Sequence, residues 1–207
     1  NLCVALPANA DAGLAAYNTV GAIALQGVRQ ADLRVGETCV VIGMGLLGHL
    51  TALILRASGI RVFGVDVRPG ALELGKKHCL DDAAVLDDAT LAPRVAALSR
   101  GIGADAVIIT AATKSLEPIN LAGRLLRKRG VVVIVGDVPT GFQRDPDFYR
   151  KELTLRMSCS YGPGRYDLSY EEKGLDYPPG YVRWTENRNM QAFQDLLHGG
   201  RMDASYL

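Results

Sequence analysis

Between Thr38 and Gly48 an apolar, β-branched run, Thr38-Cys39-Val40-Val41-Ile42, passes directly into Gly43-Met44-Gly45-Leu46-Leu47-Gly48. A helical pattern follows at once. Eighteen positions after Gly48 a second apolar run, Val62-Phe63-Gly64-Val65, ends in Asp66. Strand, G-x-G-x-x-G, helix and an acid at the next strand end make one βαβ unit suited to a dinucleotide. Gly43 permits the tight turn, Gly45 lets the backbone approach a pyrophosphate, and Gly48 lets the helix pack on the strand. The amides of Leu46 and Leu47 then face phosphate oxygens at the positive end of the helix dipole. Asp66 can accept from both adenosine ribose hydroxyls and would repel a 2′-phosphate, which favours NAD over NADP. Arg68 keeps NADP open, since it could cover the adenine or meet a phosphate instead.

The rest of the chain repeats the alternation. Strands are expected at 38–42, 61–66, 83–86, 104–110, 130–135 and 153–160, with helices at 46–57, 70–77, 91–99 and 115–126. One or two helices are expected between Ala10 and Gln30. The nearly unbroken Val131–Val135 run is typical of a parallel strand covered on both faces. These features predict an α/β, doubly wound, mostly parallel six-stranded sheet with helices on both faces. Further cofactor contacts are expected at the carboxyl ends of the later strands, at Thr110-Ala111-Ala112 and Gly136-Asp137. Plain turn chemistry accounts for those small residues equally well.

From Gly162 to Asn189 neither template fits. Pro163, Pro178, Pro179, several tyrosines and Trp184 lie among many charges. So many aromatics in one stretch predict an ordered excursion, a lid or an oligomer contact, rather than a linker. Met190–His198 returns to a helix. The division expected is a helical lead-in over 1–36, a dinucleotide-binding domain over 37–162, and the excursion with its final helix, packed on the same domain, over 163–207.

The 207 residues carry a formal net charge of +1, which argues against a nucleic-acid or membrane-surface partner, since both need a concentrated basic face. No apolar run approaches the roughly 20 residues of a membrane span, and no signal-peptide pattern is present. Cys3, Cys39, Cys79 and Cys159 are scattered without a C-x-x-C. Cys39 and Cys159 read as small buried side chains, and this usage fits a reducing cytoplasm.

An acid–base set is harder to find. No tyrosine stands four positions before a lysine, and H-E-x-x-H is absent. His49, His78 and His198 all fall on expected helices and read as structural or surface residues. No nucleophile elbow is present. A cofactor site without catalytic groups is what a piece of a longer enzyme would show. The opening at Asn1 and the close at Leu207 agree with that expectation.

At this point the chain resembles the cofactor domain of the medium-chain, zinc-type alcohol dehydrogenase family. The likeness rests on Arg34-Val35-Gly36-Glu37, the Val41–Gly48 segment, Gly59, Val65-Asp66, Gly103-Ala104-Asp105-Ala106-Val107, and Gly130 with Val131–Gly136. It covers residues 1–162. The resemblance implies a Rossmann fold inserted into a GroES-like catalytic domain that carries the catalytic zinc ligands. Ala16–Val20, where the family's zinc enzymes place a ligand, holds no good one, so zinc belongs to a longer parent chain if anywhere. The resemblance further implies that Gly43, Gly45, Leu46, Leu47, Gly48, Asp66 and Arg68 line the adenosine-pyrophosphate end. Thr110, Ala111, Gly136, Asp137 and Ser160 would line the nicotinamide end. It implies hydride transfer with an alcohol, polyol or sugar-derived substrate, and a homodimer formed through an edge strand, here 153–160. Segments 160–166 and 181–188 are similar to a subgroup fused to a glucose–fructose-oxidoreductase-type domain, which implies a sugar-like substrate. Two other readings remain open: a stand-alone NAD(H)-sensing module without catalysis, and a flavin-binding domain with the same fingerprint.

Overall fold

A computed structural model describes residues 2–8 and 10–207. The chain enters through a short helix α1 (Ala12–Ala15) and a longer α2 (Asn18–Ala31). Then β1 (Thr38–Ile42), α3 (Leu46–Ala57), β2 (Arg61–Asp66), α4 (Pro69–His78), β3 (Asp82–Val85) and α5 (Leu91–Leu98) form the first half. The second half holds β4 (Ala104–Ile109), α6 (Glu117–Leu125), β5 (Leu126–Ile134) and β6 (Thr154–Met157). A single helical turn α7 (Leu168–Glu171) and the closing helix α8 (Glu186–His198) follow.

The sheet order is β3-β2-β1-β4-β5-β6, and every pairing is parallel. The order reverses between β1 and β4, which opens a crevice at their carboxyl ends. Alternate side chains of each strand feed separate cores. Cys39 and Val41 of β1 face α2, α3 and α8, together with Val62, Ile108 and Val133. Val40 and Ile42 face α5 and α6, together with Phe63, Val107 and Val132. All five residues of β1 are buried, as a central strand covered on both faces must be.

Elements end where backbone chemistry requires. Gly59 adopts φ +76° just past α3, a conformation that costs a residue with a Cβ. Pro69 opens α4, where a missing N–H is no loss. Helix α8 lies against α2 through a close approach: a Cβ at Gly21 would stand 2.2 Å from the Phe193 ring. Phe193 is fully buried there.

The structure departs from expectation in five places. The sheet is wholly parallel rather than mostly so. Strand β5 starts earlier, at Leu126, because a bulge near Ala104/Ala106 lets Leu126 pair before the Val run begins. Strand β6 is shorter than 153–160; pairing stops at Ile134↔Met157. Helix α8 starts at Glu186, where Thr185 caps it by accepting from Arg188 N–H. Cys159 is exposed, not buried, because it lies beyond the end of β6.

Residues 162–185 fold into an ordered knot. Tyr170 is buried with its hydroxyl donating to Thr185 Oγ at 2.9 Å. Its ring stacks on Tyr177, 5.3 Å between centroids, and lies against Gly164 at φ +108°. Arg29 of α2 sits 3.4 Å over the Trp184 ring, a cation–π contact that fastens this segment to the domain.

Candidate functional site

The glycine-rich turn is held from both sides. Gly43 adopts φ +103°, and its N–H donates to the Val65 carbonyl at 2.8 Å. Its own carbonyl accepts from Thr110 Oγ at 2.6 Å. A Cβ at Gly43 would lie 2.6 Å from the Ala111 nitrogen, and one at Gly48 would lie 2.0 Å from the Gly43 oxygen. Both positions are therefore closed to any side chain. Gly45 is different: the nearest atom to a Cβ there is Arg68 Nη2 at 3.8 Å. The turn is packed tightly beneath and open above.

Gly45 is also the N-cap of α3, and no side chain caps this helix. The first amides of α3 thus face outward at the positive end of the dipole, beside an open glycine. Such an arrangement accepts an anion without help from a lysine. His49, one turn in, is buried, with Nδ1 3.0 Å from the Gly45 carbonyl.

Asp66 ends β2 with its side chain only 6% exposed. Oδ2 accepts from the Met44 N–H at 2.6 Å, and Oδ1 accepts from Arg68 N–H at 2.9 Å and Nε at 3.2 Å. Burial pushes this carboxyl up. The Arg68 side chain, the two backbone donors and the Arg68 charge together outweigh it and hold the group below the usual carboxylate range. Met44 thus tethers the acid to the glycine turn, while Arg68, mostly exposed, pairs with it from the solvent side.

A cleft of about 260 Å³ lies at the crevice where β1 and β4 diverge. Ile42 and Gly43 form its floor, Asp66, Val67 and Leu86 one wall, and Ala111, Ala112 and Thr113 the other. Of the residues expected at the adenosine-pyrophosphate end, Gly43 and Asp66 line this cleft, whereas Gly45, Leu46, Leu47, Gly48 and Arg68 do not. Ala111 lines it directly. Thr110 is turned inward, its hydroxyl committed to the carbonyls of Ile42 and Gly43. Gly136 stands at the end of β5, and a Cβ there would meet the Ala111 oxygen at 2.0 Å. Asp137 is exposed; its carbonyl accepts from Thr113 N–H at 2.9 Å. Ser160 lies beyond β6, half-buried, at φ +45°.

Sequence reasoning overlooked Val67, Leu86 and Thr113. Val67 was available as the neighbour of Asp66, whereas Leu86 reaches the cleft only through the pairing of β3 with β2. Among the described residues no three His, Cys, Asp or Glu side chains converge to hold a metal ion. The donor set needed for a zinc centre is not supplied by these residues.

A doubly wound parallel sheet with an open glycine turn at its switch point defines a Rossmann-type domain. The family model for zinc-binding dehydrogenases matches residues 47–172, and the chain belongs to that family. An alcohol dehydrogenase of Rhizobium meliloti (strain 1021) is 27% identical over 203 residues, covering 96% of this chain and 58% of the relative. D-xylulose reductase A of Aspergillus oryzae is 30% identical over 182 residues, covering 82% of this chain and 48% of the relative. The NADP-bound structure of a Sinorhizobium meliloti 1021 protein, assigned as a zinc-binding dehydrogenase, superposes with a TM-score of 0.73. It is 20% identical and matches 97% of this chain and 53% of its own. The chain spans about half the length of the relatives it matches.

Proposed function

We propose that this chain is the NAD(P)-binding part of an oxidoreductase that moves hydride between nicotinamide and a carbinol carbon of an alcohol, polyol or sugar derivative. The observation that carries the reading is the open Gly45 over the uncapped start of α3, beside the tethered Asp66. The glycine turn and the amides of Leu46 and Leu47 would hold the pyrophosphate. Asp66 would take the ribose hydroxyls once Arg68 swings away, which favours NAD. Arg68 would then lie over the adenine. Thr110 acts one step back, by fixing the Gly43 carbonyl. Ala111, Gly136, Asp137 and Ser160 would form the nicotinamide side. The bound cofactor would supply a hydride acceptor or donor at nicotinamide C4, and this chain would bind and orient it.

The lead-in over 1–36, the binding domain over 37–162 and the closing 163–207 segment would act as one cofactor unit. The acid–base groups, and any zinc, would come from outside it. Partners would be the small-molecule substrate and a second copy of the chain, paired through β6. Four scattered free thiols fit a cytoplasmic setting. The test is a calorimetric titration of NAD and NADP, with an alcohol dehydrogenase assay alongside. NAD binding tighter than NADP, without turnover by the 207 residues alone, is the expected result. Equal affinities would remove Asp66 as the selector, and turnover would refute the missing-chemistry reading.

A further inference from the structure

We propose that the cleft at the amino ends of β4 and β5 is a second anion site, built for a small phosphate-bearing molecule. It lies at the opposite end of the strands from the glycine turn. The six residues of β4, at about 3.3 Å each, separate the two by roughly 20 Å. The cleft has a volume of about 440 Å³. Val95, Leu125 and Leu126 form an apolar floor, and the Gly101-Ile102-Gly103 loop closes one side.

Five cations rim this cleft: Arg124, Arg127, Lys128, Arg150 and Lys151. Three are matched. Arg124 pairs with Glu117, Arg127 Nε with Asp105 Oδ1 at 2.6 Å, and Lys151 Nζ with Asp147 Oδ1 at 3.0 Å. Lys151 also donates to the Gly123 and Arg124 carbonyls at the end of α6. Lys128 and Arg150 are exposed, and among the described residues neither has a carboxylate within ion-pair reach. Two cations without an ion-pair partner thus line one concavity, where an anion would find both.

The backbone is bent to present them. The bulge in the β4–β5 pairing falls at this end of the sheet, and Arg129 adopts φ +60°, unusual for a residue with a Cβ. Its N–H is held by the Lys151 carbonyl at 2.6 Å, which ties the Arg127–Arg129 turn to the Arg150-Lys151 segment. The net charge of +1 concealed this face. The cations form one cluster over an apolar floor rather than a track, so the fit is to a compact anion with an uncharged body, not to a nucleic-acid strand.

The test is an amide NMR titration of the whole chain with inorganic pyrophosphate in saturating NAD. Amides of Gly101–Gly103 and Arg127–Arg129 should shift together. The double variant Lys128→Gln, Arg150→Gln should bind pyrophosphate at least tenfold more weakly there. Both side chains are exposed, so the fold should survive, which an unchanged melting temperature checks. Shifts confined to the Gly43–Leu47 turn would overturn the proposal, as would undiminished affinity in the double variant. Tighter binding of a short single-stranded DNA than of pyrophosphate would overturn the small-molecule class.

Discussion

Asp66 has two duties that the sequence shows as one. It stands where a ribose would need an acceptor, and it already anchors the Met44 N–H at 2.6 Å. Replacing Asp66 with Gly should therefore weaken NAD binding about 10- to 100-fold, the cost of hydrogen bonds to a charged group. Cofactor choice should relax as well, and an unaltered NAD affinity in the titration would sink the assignment. The same carboxyl gives a pH signature. Its folded pKa is depressed, so its stabilising effect is present above the unfolded value near about 4 and is lost as pH falls through the folded one. The melting temperature of wild type should exceed that of Asp66→Asn by a constant margin from pH 7 to about 5. The margin should shrink below about pH 4; a margin that widens there would contradict the tether. At this scale the site was partly legible. The glycines announced themselves, because closed space at Gly43 and Gly48 leaves no other residue. Thr110 was expected at the cofactor side, but its inward turn was not legible: its hydroxyl donates to two carbonyls, a choice that depends on β4 lying beside β1.

Among elements, the central strands were the clearest. A strand buried on both faces is apolar through its middle, with polar residues such as Thr38, Arg61, Asp66 and Asp105 confined to its ends, so β1, β2 and β4 appear in the sequence almost residue for residue. Edge elements were blurred. Strand β6 is half exposed and only four residues long, so its composition is weakly constrained and its end was overestimated. The 162–185 segment was legible only as ordered, since its order comes from long-range contacts rather than periodicity. That order should be fragile at Gly164. A Cβ there would stand 2.7 Å from the Tyr170 ring at φ +108°, so Gly164→Ala should cost about 1–3 kcal/mol and loosen the segment. Trp184 is the only tryptophan in the chain, and a red shift of its emission at unchanged NAD affinity is the expected readout. Emission identical to wild type would show that the knot tolerates the change.

At the level of the whole molecule, β6 leaves one side of the sheet unpaired, with Met157 60% exposed. A bare edge invites a second strand. Light scattering should find a dimer, and placing Pro at Leu155 should reduce it to a monomer; a monomeric wild type would remove the edge-pairing proposal. A dinucleotide-type βαβ unit was accessible from residues 38–66, because a glycine turn between a buried strand and a helix, followed by an acid, satisfies several constraints at once; the family and the fold class needed the later segments 103–107 and 130–136 as well. Local patterns of that kind are written in neighbouring residues, and they determined the βαβ order, the glycine turn and the candidate ribose acceptor. Only the tertiary structure decided what distant residues do to one another. It set the all-parallel register, the inward turn of Thr110, the tether from Met44 to Asp66, and the basic cleft assembled from Arg124–Lys128 and Arg150-Lys151. Those follow from contacts between segments far apart in the chain, and a linear reading of charge or periodicity averages them away.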